Sequence, residues 1–303
     1  MKISVIIPTY KRIDKLQDCL DSMLKQTFPR DRCEILVVED GSHSGAEDLV
    51  KSLQKDFPNI KYFWRTNAGP AAARNVAIKE AQGEVCAFTD DDCTVPPDWL
   101  QKLWDGFVRH PEVTGVGGRM EPPEDLVKKN GYARFELYLT REVFNLPPER
   151  GEFIAGKESP IGATNNIAYK TAALRAVGGF DEKFKPHIPG EERDLKERLC
   201  EAGFDKILYI PTKVTHHRTY NWKSFACQSY TAGIGTKNYA CEHNLRINYF
   251  GLIKSLAFGF LLLPFRLLVQ PDRELTLFKF LDQFFAVFAQ IVPEQIAIKL
   301  GLR

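Results

Sequence analysis

An excess of charge of either sign is missing from this chain. Its 303 residues carry 41 basic and 39 acidic side chains, a formal net charge of +2. Nothing in that balance points to nucleic acid as a partner. Paired cysteines are missing too. The seven thiols, at 19, 33, 86, 93, 200, 227 and 241, are odd in number and include no C-x-x-C. That argues against a disulfide framework and the usual zinc spacings, and fits reduced thiols in a cytosolic protein. No internal repeat or low-complexity stretch is present. The chain enters a strand-like run at once, without the basic and apolar regions of a signal peptide, so a cytoplasmic location is expected. Long apolar spans are also lacking. "SLAFGFLLLPF" (255–265) is eleven uncharged residues, flanked by Lys254 and Arg266 and broken by Pro264. A single membrane pass needs about 20 predominantly apolar residues.

What is present is an ordinary globular composition, 44% apolar and 26% charged, enough to bury a real core. "ISVII" (3–7), stopped by Pro8, fits a buried strand. "IDKLQDCLDSMLKQ" (13–26) has apolar residues at 13, 16, 20, 23 and 24, which is helical spacing. "EILVVED" (34–40), "IKYFWR" (60–65) and "EVCAFTD" (84–90) read as further strands. "GAEDLVKSLQKDF" and the Ala-rich "NAGPAAARNVAIKEA" (67–81) read as the helices between them. Strand alternating with helix at this spacing predicts an α/β fold with a mostly parallel sheet flanked by helices. Residues 121–160 read as a long connection with a helix near 129–141. "TNNIAYKTAALRAVGGF" (164–180) reads as strand then helix, ended by Gly178-Gly179. "GEERDLKERLCEAGF" (190–204) and "KILYIP" (206–211) read as a last helix and strand.

"FTDDD" (88–92) sets three carboxylates side by side at a strand end, where their repulsion is hard to screen. In sheets of this kind, ligands bind beyond the carboxyl ends of the strands. Asp40 ends the second strand and Asp90, Asp91 and Asp92 end the fourth, so all lie at that edge. A divalent cation would offset the repulsion, and oxygen donors suit Mg²⁺ or Mn²⁺, which also hold substrate phosphates. An acidic loop without a metal is the plain alternative. Asp98 looks like the N-cap of a helix "WLQKLWDGF". Trp99 and Trp104 on that helix could stack on a sugar, though a helix Trp is more often core.

Five segments occur in one order: "SVIIPTYKR" (4–12), "VVEDGS" (37–42), "NAGPAAARN" (67–75), "FTDDDC" (88–93), and "GGFDEKF" (178–184) followed by "GEERDLKERLCEAG" (190–203). Together they resemble the inverting nucleotide-sugar glycosyltransferases of family 2, over roughly residues 1–220. The resemblance implies the GT-A (Rossmann-like) fold and the transfer of a sugar from a nucleotide diphosphate sugar to an acceptor hydroxyl. It implies that Pro8, Thr9 and Tyr10 wall the nucleotide base and that Asp40 reads it. A carboxylate accepting an imide N–H suits uracil or thymine, so UDP or dTDP is expected, with guanine possible. Glu39 stands where relatives often carry a second Asp. Arg74 is expected at the nucleotide or its phosphates, unless it is a surface helix charge. Asp90 and Asp92 match the DxD motif, with Asp92 as the metal ligand and Asp91 at the ribose. The general base falls at Glu192, where Asp is usual, with Asp194 as the alternative. Asp194 could equally pair with Arg198 at i,i+4. His216 or His217 follows the last strand, where relatives often place a His at the metal or diphosphate. Asn165 and Asn166, in "GATNN", match the acceptor-side strand.

Other features narrow the reading. No "QxxRW" follows the base helix, and no set of long spanning helices is present, so a single addition is favoured over processive synthesis. "GVGGRM" (115–120) lacks the G-x-G-x-x-G spacing of a dinucleotide loop. A nucleotidyltransferase would carry a Gly-rich basic loop after the first strand, and "PTYKR" has no glycine. An inactive glycan-binding protein would not need Asp90, Asp92 and an acid at 192. The expected organisation is a transferase domain over 1–225, with a nucleotide half (1–120) and an acceptor half (121–225), then a helical, hydrophobic segment over 226–303. Residues 246–303 carry seven basic and four acidic side chains. That suits amphipathic helices on the anionic inner face of the cell membrane, with a glycan or lipid-linked acceptor. A helical hairpin packing on the protein itself is the alternative.

Overall fold

The structure, a computed structural model, describes residues 1–156, 161, 163–184, 190–242, 263 and 273–291. β1 (Ile3–Thr9) and β2 (Cys33–Asp40) are buried at every position. Continuous branched apolar runs of this kind suit strands covered on both faces. β1 pairs in parallel with β2 and with β4 (Val85–Phe88), and β2 pairs in parallel with β3 (Ile60–Arg65). The crossovers are α1 (Ile13–Leu24), α2 (Ala46–Leu53) and α3 (Pro70–Glu80). α1 buries Leu16, Cys19, Leu20 and Met23, the stripe its spacing predicts.

Beyond β4 the sheet becomes mixed. The remaining strands are β5 (Cys93–Thr94), β6 (Gly115–Glu121), β7 (Phe153–Ala155), β8 (Ile167–Lys170) and β9 (Ile207–His216). The order is β3-β2-β1-β4-β8-β6-β9-β5, with β7 also on β9. β8 runs antiparallel between β4 and β6, and β6 and β9 are parallel. "GVGGRM" is therefore a strand, β6, and not a loop. Its glycines make room for neighbours. A Cβ on Gly118 would lie 2.3 Å from the Thr212 carbonyl oxygen of β9, at the irregularity between Gly117 and Arg119 where the register shifts.

Two apolar layers cover the sheet. One joins α1, α2 and α4 (Trp99–Arg109) to it through residues such as Leu16, Val50 and Leu103. The other joins α3, α7 (Thr171–Ala176) and α8 (Glu191–Glu201) through Ala77, Leu174 and Leu195. Trp99 is fully buried in the first layer, so it is core and not a sugar platform. Asp98 does begin α4, but its side chain pairs with Lys102 at 2.8 Å and makes no capping bond.

These elements form one compact unit: Met1–Glu121, Thr140–Pro186 and Glu191–His217. A second unit gathers Pro122–Leu139 with Arg218 onward. It contains α5 (Glu124–Lys129), α6 (Gly131–Tyr138), α9 (Trp222–Glu242) and α10 (Arg273–Ile291). Phe135 of α6, Phe225 of α9 and Phe278 of α10 form its core. The sequence puts 121–225 together as the acceptor half, whereas Pro122–Leu139 groups with the C-terminal helices through these aromatic contacts. Of the C-terminal apolar segments, 277–292 falls largely on α10 and packs with α9 and α6. The run 255–265 lies outside the described residues, apart from a helical Leu263. Among the described residues, no helix is long and apolar enough to cross a membrane.

Candidate active site

Asp40 closes β2 at the edge the sequence singles out. Its two carboxylate oxygens accept from the backbone N–H groups of Ala68 (3.0 Å) and Gly69 (2.7 Å), just before α3. Asn67 Nδ2 donates to the Asp40 carbonyl at 2.8 Å. The next residue, Gly41, has φ +79°, and a Cβ there would lie 2.4 Å from the Asn67 nitrogen. "EDGS" thus folds tightly against "NAG" only with glycine at 41. Glu39 points the other way. It is buried, which alone would raise its pKa, but Ser42, Ser44 and Tyr62 donate to it and hold it below its ordinary value.

The loop after β1 reaches the acidic cluster. Pro8 and Thr9 are buried, while Tyr10 is 38% exposed, with the Lys11 ammonium 4.9 Å from its ring centroid. Thr9 Oγ1 donates to Asp91 at 2.8 Å. Arg12 Nη1 donates to Asp92 at 2.8 Å and to Asp91 at 3.2 Å. Asp91 is buried, which pushes its carboxyl up to about 6 against the pull of Arg12. Asp92 is also buried, yet the His216 hydrogen bond and charge, with Arg12, bring it down to about 2. His216 Nε2 lies 3.1 Å from Asp92 Oδ1. The sheet explains that meeting. Cys93 and Thr94 of β5 pair with His216 and Thr215 of β9, which delivers His216 to the residue before Cys93. His217 turns instead to Thr94 Oγ1, at 2.8 Å.

Ligating atoms of Asp92, Cys93 and His216 all lie within 4.8 Å of one another. A carboxylate with an imidazole suits Mn²⁺, and the carboxylates also suit Mg²⁺. Burial raises the Cys93 thiol well above its ordinary range, and soft sulfur is a poor donor for Mg²⁺ or Mn²⁺. The donor set therefore fits a divalent cation held by Asp92 and His216. Asp90 is the most exposed of the three acids and pairs with Arg74 Nη2 at 3.0 Å.

Arg74 is buried and no surface charge. Its Nη1 lies 3.4 Å from Glu191 Oε1, at the start of α8, and its Nε has no hydrogen-bond partner among the described residues. Burial, then the neighbouring Glu192, raises the Glu191 carboxyl, while Arg74 opposes this. Glu192 accepts from Thr164 N at 2.7 Å and from Thr164 Oγ1 at 2.5 Å, both on Oε1. Asp194 is bound by Arg198 Nε at 2.8 Å and Nη2 at 2.5 Å. Arg198 also donates to the carbonyls of Val177 and Gly179. Asp194 thus takes the ion-pair role that its i,i+4 spacing allows. Asn166, expected to bond sugar hydroxyls, faces the interior. Its Oδ1 accepts from Trp99 Nε1 at 2.8 Å and its Nδ2 donates to the Arg119 carbonyl at 2.8 Å. Asn165 is 7% exposed and its Nδ2 faces Met120 Sδ.

The sequence reading passed over Arg12, Glu191 and Thr164. The signal for Arg12 was the basic pair closing "PTYKR", and that for Glu191 was its place beside Glu192. Thr164 carried none, because its contact joins residues 28 apart.

Comparison with known proteins places this geometry. The family description "Glycosyl transferase family 2" matches residues 4–178. A "Glucosyl-dolichyl phosphate glucuronosyltransferase" of Haloferax volcanii is 26% identical over 238 residues, covering 74% of this chain and 71% of that protein. "Glycosyltransferase AglE" of the same organism is 34% identical over 203 residues, covering 67% of this chain but only 62% of its own length. Among solved structures, a mannosyltransferase from Pyrobaculum calidifontis, in complex with GDP-Man and Mn²⁺, superposes with a TM-score of 0.66 at 18% identity. It covers 94% of this chain and 85% of its own, a likeness that shows the GT-A fold. With the family match spanning more than half of its length, the chain belongs to glycosyl transferase family 2.

Proposed function

We propose that this glycosyltransferase is metal-dependent and inverting, and moves a single sugar from a nucleotide diphosphate sugar to an acceptor hydroxyl. The observation that carries the reading is the pair of carboxylate stations. Asp92 with His216 forms one, and Glu192 forms the other, opening α8 beside the Arg74–Glu191 pair. Two donors from Thr164 converge on Oε1 of Glu192, and among the described residues no hydrogen bond holds Oε2, the oxygen assigned to take the acceptor proton as the nucleotide diphosphate leaves. Inversion follows from a base that activates the acceptor opposite the leaving group. Asp194 is the weaker candidate, because its charge already serves Arg198.

Asp92 and His216 would hold the cation, with Asp90 beside them. Once bound, it supplies Lewis-acid neutralisation of the departing diphosphate. Arg12 and Arg74 bring fixed positive charge to the same edge, the charge type a diphosphate needs. Tyr10, over Pro8 and Thr9, offers an exposed ring to the base, and Asp40 stands where a base N–H would be read. UDP or dTDP is the expected product nucleotide, and Asp91 is assigned to the nucleotide side. Asn165 remains the acceptor-side candidate, since Asn166 is committed to Trp99.

We place the acceptor among glycan or lipid-linked glycan hydroxyls, met at the inner face of the membrane. The net positive charge of 246–303 supports this. Removing residues 250–303 should then shift the protein from membrane to soluble fractions, and an unchanged partition would remove the membrane association. The transfer itself is tested by a thermal-shift panel of UDP, dTDP, GDP and CDP, each with and without Mn²⁺ or Mg²⁺, followed by product analysis. A cation-dependent shift for one nucleotide, and release of a nucleoside diphosphate, is the expected result. Pyrophosphate released from a triphosphate would show a nucleotidyltransferase instead. No shift with any of them would favour a non-catalytic role.

A further inference from the structure

β6 carries a charge cluster that the transfer as described does not use. Glu121 is 3% exposed, and its side chain serves two arginines at once. Arg119 Nε donates to Oε1 at 3.0 Å, Arg141 Nε donates to the same oxygen at 3.0 Å, and Arg141 Nη2 donates to Oε2 at 3.1 Å. Arg119 is itself 8% exposed, with Nη1 turned to the Tyr209 hydroxyl at 3.5 Å. Two guanidiniums around one carboxylate leave one positive charge over. A structural ion pair would need only one of them, and the second, Arg141, keeps a positive charge at the partly open edge of the cluster.

The place matters as much as the charge. Arg119 Nη1 meets the Tyr209 hydroxyl, and Tyr209 belongs to the apolar layer that also holds Ile161 and Ile167. A Cβ on Gly117 would meet Ile161 and Ile167, which belong to the apolar layer that also holds Leu195 of α8. The cluster therefore faces the side of the sheet on which the base helix packs. Met120, between the two charged residues, touches the Asn165 side chain, and its carbonyl accepts from Thr140 Oγ1 at 3.0 Å. Asn165 follows Thr164, whose N–H and hydroxyl hold Glu192. The same short loop thus reaches Glu192 through Thr164 and the Arg119 backbone through Asn166. Arg141 is pinned along the edge made by Nε and Nη2, which leaves Nη1 to donate elsewhere. Its side chain is 35% exposed, so a ligand can reach it. A guanidinium held in this way is preorganised for the oxygens of a phosphate.

We infer that Arg119 and Arg141 form an anion subsite for a phosphate group carried by the acceptor, beside the hydroxyl that Glu192 deprotonates. The assignment of that phosphate to an acceptor rests on the transferase reading above; the anion site itself does not. A lipid-carrier phosphate and a polyol phosphate present the same oxygens, and phosphate is the group recognised.

The test is calorimetric titration of the full chain, saturated with Mn²⁺ and the nucleoside diphosphate that stabilises it most. The probes are farnesyl phosphate and ribitol 5-phosphate, with farnesol and ribitol as neutral controls. At least one phosphate probe should bind about tenfold or more tightly than its neutral counterpart, with affinity falling as salt rises. Arg141→Gln should weaken that binding about tenfold or more, and Arg141→Lys should recover part of it. Binding of the farnesyl probe alone assigns a lipid carrier, binding of the ribitol probe alone assigns a polyol, and binding of both assigns phosphate recognition itself. Equal binding of charged and neutral probes, or an unchanged affinity in Arg141→Gln, overturns the subsite. Arg141 is partly exposed, so this variant keeps the test open even where Arg119→Gln fails to fold. Nucleotide shifts run on the same samples separate the two readings. Phosphate binding without a nucleotide shift keeps the subsite and sinks the transferase, and the reverse result does the opposite.

Discussion

The two halves of the sheet reach the same edge by different routes. In the β3-β2-β1-β4 half, the strands pair in parallel, each crossover is a helix, Asp40 closes β2, and Asp90 to Asp92 follow just after β4. In the β8-β6-β9-β5 half, β5 and β8 are short, β6 is glycine-rich, pairings are mixed, and the site residues arrive from distant segments. Asp40 needs only its own strand to be placed, and Asp92 only the short turn between β4 and β5. His216 needs β5, and Glu192 needs Thr164. The first half is written locally, and the second is assembled by contacts between residues far apart in the chain.

The largest expected effect breaks the assembled half at its chemistry. Glu192→Gln should lower kcat by about 10²- to 10⁴-fold while the cation-dependent nucleotide shift persists. An Asp194→Asn variant that loses activity equally, at unchanged melting temperature, would move the base to 194. Next comes the joint between the halves. Asp92→Ala should abolish the cation-dependent part of the thermal shift with the best nucleotide, and His216→Ala should reduce it. A full shift in both variants would place the cation elsewhere.

Smaller effects concern packing. Gly118→Ala forces a methyl against the Thr212 carbonyl at the β6–β9 irregularity. It should cost about 1–3 kcal/mol in urea unfolding, the usual range for overpacking. Trp99→Phe leaves Asn166 Oδ1 buried without its donor, and should cost a similar 1–3 kcal/mol. If Trp99→Phe were neutral, the acceptor-side loop would not depend on that bond.

The smallest effect is in pH and belongs to the locally written half. Burial would raise the carboxyls of Glu34 and Glu39. Lys61, Ser4 and the Gln82 N–H outweigh it at Glu34, and Ser42, Ser44 and Tyr62 outweigh it at Glu39, so both titrate below their ordinary value. A folded-state pKa below the unfolded one gives stability that is fully present above the unfolded value, about 4.3. That stability is lost as pH falls through the lowered folded values. Urea midpoints should therefore hold between pH 7 and 5 and drop below 4, with a shallower drop in Glu39→Gln.

How much was legible follows the same division. β1 through β4 and α1 through α3 could be read because period and punctuation agree over short distances. Asp40 and Asp90 to Asp92 followed, since a strand end and the edge rule are enough to place them. β6 was missed because glycines conceal a strand whose partners, not its side chains, define it. The cap role of Asp98 and the sugar-facing role of Asn166 were misplaced because each side chain found a different partner, Lys102 and Trp99. The role of Arg74 was left open between ligand and surface charge until its burial between Asp90 and Glu191 was visible.

By itself, the sequence determined the alternation of strand and helix, the carboxylates at the strand ends and the order of motifs that marks the family. These are set by local propensity, hydrophobic period and adjacency. Only the tertiary structure decided which acid meets His216, which oxygen of Glu192 is held by Thr164, and that two arginines share Glu121. Such contacts depend on strand register and side-chain direction across the sheet, and no property of a residue's neighbours in sequence encodes them.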